Sequence, residues 1–97
     1  MKIVLKPFFK EFTWKHYGPR EVVKQELQYR QIEAEKKRHG QFEKTLETQD
    51  GNAVIVYYYY DSNDILYVLA AHLIRKGEPG PAEKKAIETY VKEIEAE

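Results

Sequence analysis

Few side chains in this chain can make or break bonds. Three histidines stand at His16, His39 and His72, with no pair at His-x-His or His-x-x-x-His spacing, so no metal site is expected. There is no cysteine, which removes thiolate nucleophiles, cysteine metal sites and disulfides. The only serine, Ser62, lies among turn-forming residues with no evident base, and no glycine-rich phosphate loop is present. No cofactor is expected. What remains is His72 with the cations Arg75 and Lys76 after it, four consecutive tyrosines at 57–60, and a basic cluster at 36–39.

Arg75 and Lys76 close the stretch that the rest of the chain must cover, residues 52–76. It reads NAVIVYYYY, DSND, ILYVLAAHLI and RK: two β-branched and aromatic runs flanking four turn formers. That pattern predicts a β-hairpin with a four-residue loop, and any site is expected at its basic end. If Tyr60 pairs with Ile65, strict alternation sets Tyr58 against Tyr67, Val56 against Leu69 and Val54 against Ala71 on one face. It sets Tyr59 against Leu66, Tyr57 against Val68, Ile55 against Ala70 and Ala53 against His72 on the other. Both faces are apolar, so both need cover. Helices can cover one; the other needs a further helix or a partner. Tyrosine rings pack while their hydroxyls stay wet, so the tyrosine run reads either as core or as one side of an interface.

The remaining elements fall around this hairpin. Residues 2–6 (KIVLK) read as a first strand that Pro7 ends, and Pro7 suits the first turn of a helix. Phe8, Phe9 and Phe12 share a face of that helix, with His16 one turn on, until Gly18-Pro19 interrupts it. A second helix is expected from Pro19 to Arg38 or His39. The cations Lys36, Lys37, Arg38 and His39 in its last turn suit the helix dipole, with Gly40 as the residue that closes it; the same cluster is also a candidate RNA-binding patch. Residues 41–48 form a weaker strand near an edge, with Phe42, Lys44, Leu46 and Thr48 on one side and Glu43, Thr45 and Glu47 on the other. Asp50-Gly51 is a hairpin turn. After Gly77–Pro81 (GEPGP), a helix over 81–96 carries Ala86, Ile87, Tyr90, Val91 and Ile94 as an apolar stripe.

At 97 residues the chain is expected to form one domain, 1–97, with one modest core. Its start resembles no signal peptide and its longest apolar run is too short to span a bilayer, so a cytoplasmic protein without membrane contact is expected. Formal net charge is zero, yet residues 1–40 hold ten Lys/Arg against five Asp/Glu, and residues 41–97 six against eleven. A neutral total argues against indiscriminate nucleic-acid binding, while a basic face from the front half remains open; ordinary solvated helix surface is the plainer reading.

One resemblance gives these pieces a common meaning. Tyr57-Tyr58-Tyr59-Tyr60-Asp61, residues 65–69, Leu73-Ile74-Arg75-Lys76 and Pro81-Ala82-Glu83-Lys84-Lys85-Ala86 resemble the C-terminal half of the HigB-like, phage-derived branch of the RelE/ParE toxin superfamily. The match is gapless over roughly 35 residues; the front half matches in layout only. The resemblance implies an α+β, RelE-like fold. An N-terminal strand and two helices are followed by an antiparallel three-stranded meander and a C-terminal helix, with helices on one face of a mostly antiparallel sheet. It implies the toxin of a type II toxin–antitoxin pair, a metal-independent endoribonuclease (mRNA interferase) acting on mRNA at the ribosome and held by a cognate antitoxin. In such chemistry a ribose 2′-hydroxyl attacks the adjacent phosphate, which needs cations for the added charge and a proton donor for the leaving oxygen. Arg75 and Lys76 match the family's basic pair and are the implied phosphate contacts. The plainer reading of these two is a cationic strand end that keeps the edge soluble. His72 is the implied acid or base, although the gapless match sets the family's histidine at Ala71; otherwise it is a partly buried structural residue. Tyr90 matches a late tyrosine that donates a proton in some relatives, and it also falls on the apolar stripe. Where relatives carry an arginine in the aromatic strand, this chain has Ile55. The alternatives are a ParE-like gyrase inhibitor, a catalytically inactive protein-binding member of the superfamily, or an α/β module unrelated to toxins.

Overall fold

The computed structural model describes residues 2–16, 18, 39–74 and 80–96. The elements are β1 (Lys2–Leu5), α1 (Pro7–His16), β2 (Gly40–Thr48), β3 (Gly51–Tyr60), β4 (Ile65–Leu73) and α2 (Pro81–Glu95). The architecture is α+β, a small mixed sheet in the order β1-β4-β3-β2 with two described helices. β2, β3 and β4 form the expected antiparallel meander, and β1 joins it in parallel beside β4, Lys2 against Ile65 through Leu5 against Val68. The hairpin of β3 and β4 therefore occupies the two central positions, as its apolar faces require. The second helix expected over 19–39 lies outside the described residues, apart from His39.

Turn chemistry places the strand ends. A short 3₁₀ turn (Asp61–Asn63) and Asp64, held at φ 50°, make the four-residue loop between Tyr60 and Ile65. Asp64 is among the few residue types that enter the left-handed region at modest cost. At the other hairpin, Gly51 adopts φ 118°, and the Thr48 hydroxyl both donates to the Gly51 carbonyl (2.6 Å) and accepts from the Asp50 N–H (3.0 Å). Gly18, at the break that the sequence places after α1, has φ 72°, a left-handed conformation that glycine adopts at little cost.

Both faces of the sheet are covered from within the chain. On one, Phe9 and Phe12 of α1 pack against Ala53, Ile55, Tyr57, Leu66, Val68, Ala71, Leu73 and Leu46. On the other, Ile87 and Ile94 of α2 pack against Val56, Tyr58, Tyr67, Leu69 and Ala70. This departs from the expectation of helices on one face: α1 and α2 lie on opposite faces, because each face of the hairpin is apolar and each helix has only one apolar stripe. Tyr57 and Tyr58 are buried and Tyr59 and Tyr60 half-buried, two on each face, so the tyrosine run serves the core. β2 alternates as its sequence predicts: Phe42, Lys44 and Leu46 turn inward, and Glu43, Thr45 and Glu47 outward.

The register carries the main correction. Pairing follows the expected scheme from Tyr60–Ile65 to Tyr57–Val68, then shifts. Beyond that point Val56 pairs with Ala70, Ile55 with Ala71, Val54 with His72 and Ala53 with Leu73. Leu69 is thus one extra residue on β4, a β-bulge. Leu69 and Ala70 both contribute to the α2 core, while Ala71 and Leu73 join the α1 core. His72 is thereby turned from the α1 face, where strict alternation puts it, to the α2 face beside Val54.

Candidate functional site

The bulge gives His72 a partner that neither residue's place in the sequence announces. Pro81 stands at the first position of α2 and Gly80 at its N-cap, so Glu83 sits in the first turn. A glutamate there commonly reaches back to the cap N–H. Here Glu83 turns under the helix instead, onto the stripe that continues through Ile87, Tyr90 and Ile94, and its side chain is only 5% exposed. Its Oε2 lies 3.4 Å from His72 Nδ1, and the His72 side chain is 16% exposed. The contact is within ion-pair reach but not aligned as a hydrogen bond: His72 Nδ1 and Glu83 Oε1 are both buried with no hydrogen-bond partner. Glu43 adds a second carboxylate on this face, since it pairs with Val56 next to the Val54–His72 pair.

This environment moves both groups toward neutrality. Burial, with a smaller contribution from the Glu43 carboxylate, pushes Glu83 up to about 7. Burial pulls His72 below its ordinary value, and Glu43 opposes that only in part. A buried carboxyl that holds its proton and an imidazole that sheds its own are what desolvation at a low-dielectric site produces. The pair is therefore equipped for acid–base chemistry near neutral pH.

The other two histidines are also matched with carboxylates, and there the carboxylates are exposed. His16 Nδ1 lies 2.7 Å from Asp50 Oδ2, its ring 4.4 Å from that of Phe12 one turn back. His39 Nδ1 lies 2.8 Å from Asp61 Oδ1, and its ring packs against Tyr58 and Tyr60. The Tyr58 hydroxyl donates to Glu95 Oε1 (3.2 Å) and sits 3.4 Å from His39 Nε2, joining the end of α2 to the hairpin loop. Burial, then the bond to Glu95, holds the Tyr58 hydroxyl above its ordinary pKa, so it keeps its proton.

Of the site residues chosen from the sequence, His72 is placed and Arg75 and Lys76 lie outside the described residues. Tyr90 is half-buried on the α2 stripe, 5.6 Å from the Lys6 ammonium, which also lies 5.4 Å from the Tyr67 ring. Lys6 thus bridges two tyrosines by cation–π contacts. Ile55, at the position of the family's arginine, is fully buried in the α1 core. A cleft of about 260 Å³ lined by Leu5, Lys10, Thr13 and Trp14 lies by α1, away from the His72 pair. Sequence reasoning missed Glu83 and Glu43. Glu83 had a legible signal, a carboxylate one turn ahead of Ile87 on an apolar stripe; Glu43 had none, because its neighbours come from other strands. Among the described residues no group of three His, Cys, Asp or Glu side chains is arranged to hold a metal ion, and no helix is long and apolar enough to cross a membrane. No family model, curated protein or solved structure matches the chain.

Proposed function

We propose that this chain is a HigB-like toxin of the RelE/ParE superfamily that cuts mRNA at the ribosome without a metal, and that a cognate antitoxin restrains it. His72 exchanges the protons of the reaction, while Arg75 and Lys76 carry the charge that the phosphate gains. One observation carries the reading: the β4 bulge gives His72 the face that strict alternation would give to position 71, and sets it against a buried carboxyl. Position 71 is where the matched pattern carries its histidine. Removal of the 2′-hydroxyl proton and protonation of the leaving 5′ oxygen need a group that gains and loses a proton near neutrality, and Glu83, pushed up to about 7 beside His72, supports such a pair.

Inducible expression in a bacterium tests this. Growth arrest with mRNA cut at codon boundaries is the expected result. His72→Gln lowers cleavage by roughly 10²–10⁴-fold, the usual worth of a positioned acid–base group, and Arg75→Ala with Lys76→Ala abolishes arrest. A second reading, a ParE-like gyrase inhibitor or an inactive protein-binding member, is favoured by Ile55, whose full burial leaves no room for a phosphate-binding cation at that position. Arrest with DNA damage and intact mRNA would select it. Absence of arrest overturns both toxin readings.

A further inference from the structure

We propose that Glu83 is the positioning residue of His72: its carboxyl holds the imidazole by the buried Nδ1 edge and leaves Nε2 as the nitrogen that exchanges protons with a bound group. The inference rests on the nuclease reading for the identity of that group, an RNA 2′-hydroxyl or leaving 5′ oxygen, and on geometry for the pair.

Three features of the geometry support it. Nδ1 is buried, so the part of the His72 side chain that remains exposed belongs to its other atoms. Glu83 Oε2 is 3.4 Å from Nδ1, so an approach of a few tenths of an ångström and a turn of the carboxyl make a hydrogen bond. Glu83 Oε1 is also buried without a partner, so the side chain is committed neither to capping α2 nor, among the described residues, to any cation. Among the described residues, the groups facing the pair are Glu43 from β2, apolar Val54 and Val56 from β3, and Ile87 from α2. Glu43 repels a charge on Glu83 and so favours one proton held between the partners.

The placement of that proton decides what Nε2 can do. With the carboxyl protonated, its O–H donates to Nδ1, and the ring proton sits on Nε2, ready to pass to a leaving oxygen. As Nε2 gives up that proton, the carboxyl proton moves to Nδ1, and the resulting Nδ1–H donates to the carboxylate. Nε2 then holds a free electron pair that can take the proton of a 2′-hydroxyl, and the return transfer restores the first form. No charge is left on the imidazole in either form, which is the economical arrangement at a buried site.

Long-range ¹H–¹⁵N correlation spectra of the full chain over pH 5–9 test the pair without reference to activity. The wild-type His72 ring is expected to pass from the Nε2–H to the Nδ1–H tautomer as pH rises through neutrality. In Glu83→Gln the side-chain amide donates to Nδ1 at every pH, so the ring stays in the Nε2–H form; Glu83→Asp restores the change in part. RNA cleavage by the wild type should follow the same midpoint, and Glu83→Gln should lower it roughly tenfold to a hundredfold with the inflection lost. A single His72 tautomer throughout in the wild type, or identical titrations in wild type and Glu83→Gln, overturns the proposal even if RNA is cut. A tautomer change that Glu83→Gln abolishes, in a chain that cuts no RNA, supports the pair and removes the nuclease reading. The wild-type titration needs no variant to fold.

Discussion

The three histidines of this chain all meet a carboxylate, yet the pairs at the two hairpin ends and the pair beneath α2 obey different physics. His16–Asp50 and His39–Asp61 are the shorter contacts, 2.7 and 2.8 Å, with Asp50 39% and Asp61 60% exposed. The His16 side chain is itself only 12% exposed, but water reaches the carboxylate of each pair and screens it, and pairs screened in this way contribute about 0–1 kcal/mol. His72–Glu83 is longer at 3.4 Å, but Glu83 is buried and feels a second carboxylate, Glu43. Distance alone would rank the pairs in the wrong order for chemistry. Desolvation of the carboxylate ranks them, because it is what shifts protonation toward working pH.

The most severe way to break this contrast is to remove the bulge. Inserting one residue into β3 between Val56 and Tyr57, opposite Leu69, gives the surplus residue a partner and returns positions 70–73 to strict alternation, which takes His72 away from Glu83 and Leu73 out of the α1 core. A loss on the order of 4 kcal/mol is expected, from a cavity and misplaced polar groups together, and denaturant unfolding measures it. Truncation of Phe9, which is fully buried in that core, should cost about 3–5 kcal/mol without moving the His72 tautomer.

Next in size is the pH dependence of stability. Glu83 has a folded pKa raised from 4.5 to about 7, so the native state binds more protons than the unfolded chain between those values. Its contribution is therefore complete below 4.5 and is lost as pH rises toward 7, by up to about 3 kcal/mol. His72 has the opposite sign: its folded pKa lies below 6.5, so its contribution is complete above that value and is lost as pH falls below it. Thermal unfolding across pH 4–9 should show both arms. Glu83→Gln should flatten the loss on the alkaline side, and His72→Gln the loss on the acid side.

The smallest effects belong to the exposed pairs. Asp50→Asn and Asp61→Asn should each change stability by less than about 1 kcal/mol, less still at high salt. A larger or salt-independent effect at Asp61 would mean that the link from His39 through Tyr58 to Glu95 acts as a unit, and would narrow the difference between the two kinds of pair.

Much of this was legible from residue order. The strands over 53–60 and 65–74, the four-residue loop, the polar outer face of β2 and the helix from Pro81 follow from side-chain period and turn chemistry, both local properties. The fate of the tyrosines was open, because a half-apolar ring suits a core or an interface equally; only the placing of α1 and α2 on opposite faces buried Tyr57 and Tyr58. At the candidate site, His72 is legible as a residue but not as to its face, and Glu83 enters the sequence reading only within the matched stretch from Pro81 to Ala86, with no role of its own.

The apolar hairpin and its polar exit are thus written in the order of residues, since alternation and turn formation act over a few neighbours. Which way His72 looks is not. It depends on a single surplus residue in β4 relative to β3, which exists only once the strands pair and their two faces are packed at the same time. The shifted protonation of His72 and Glu83 follows from that same event, because desolvation is a property of what surrounds a group and not of its place in the chain.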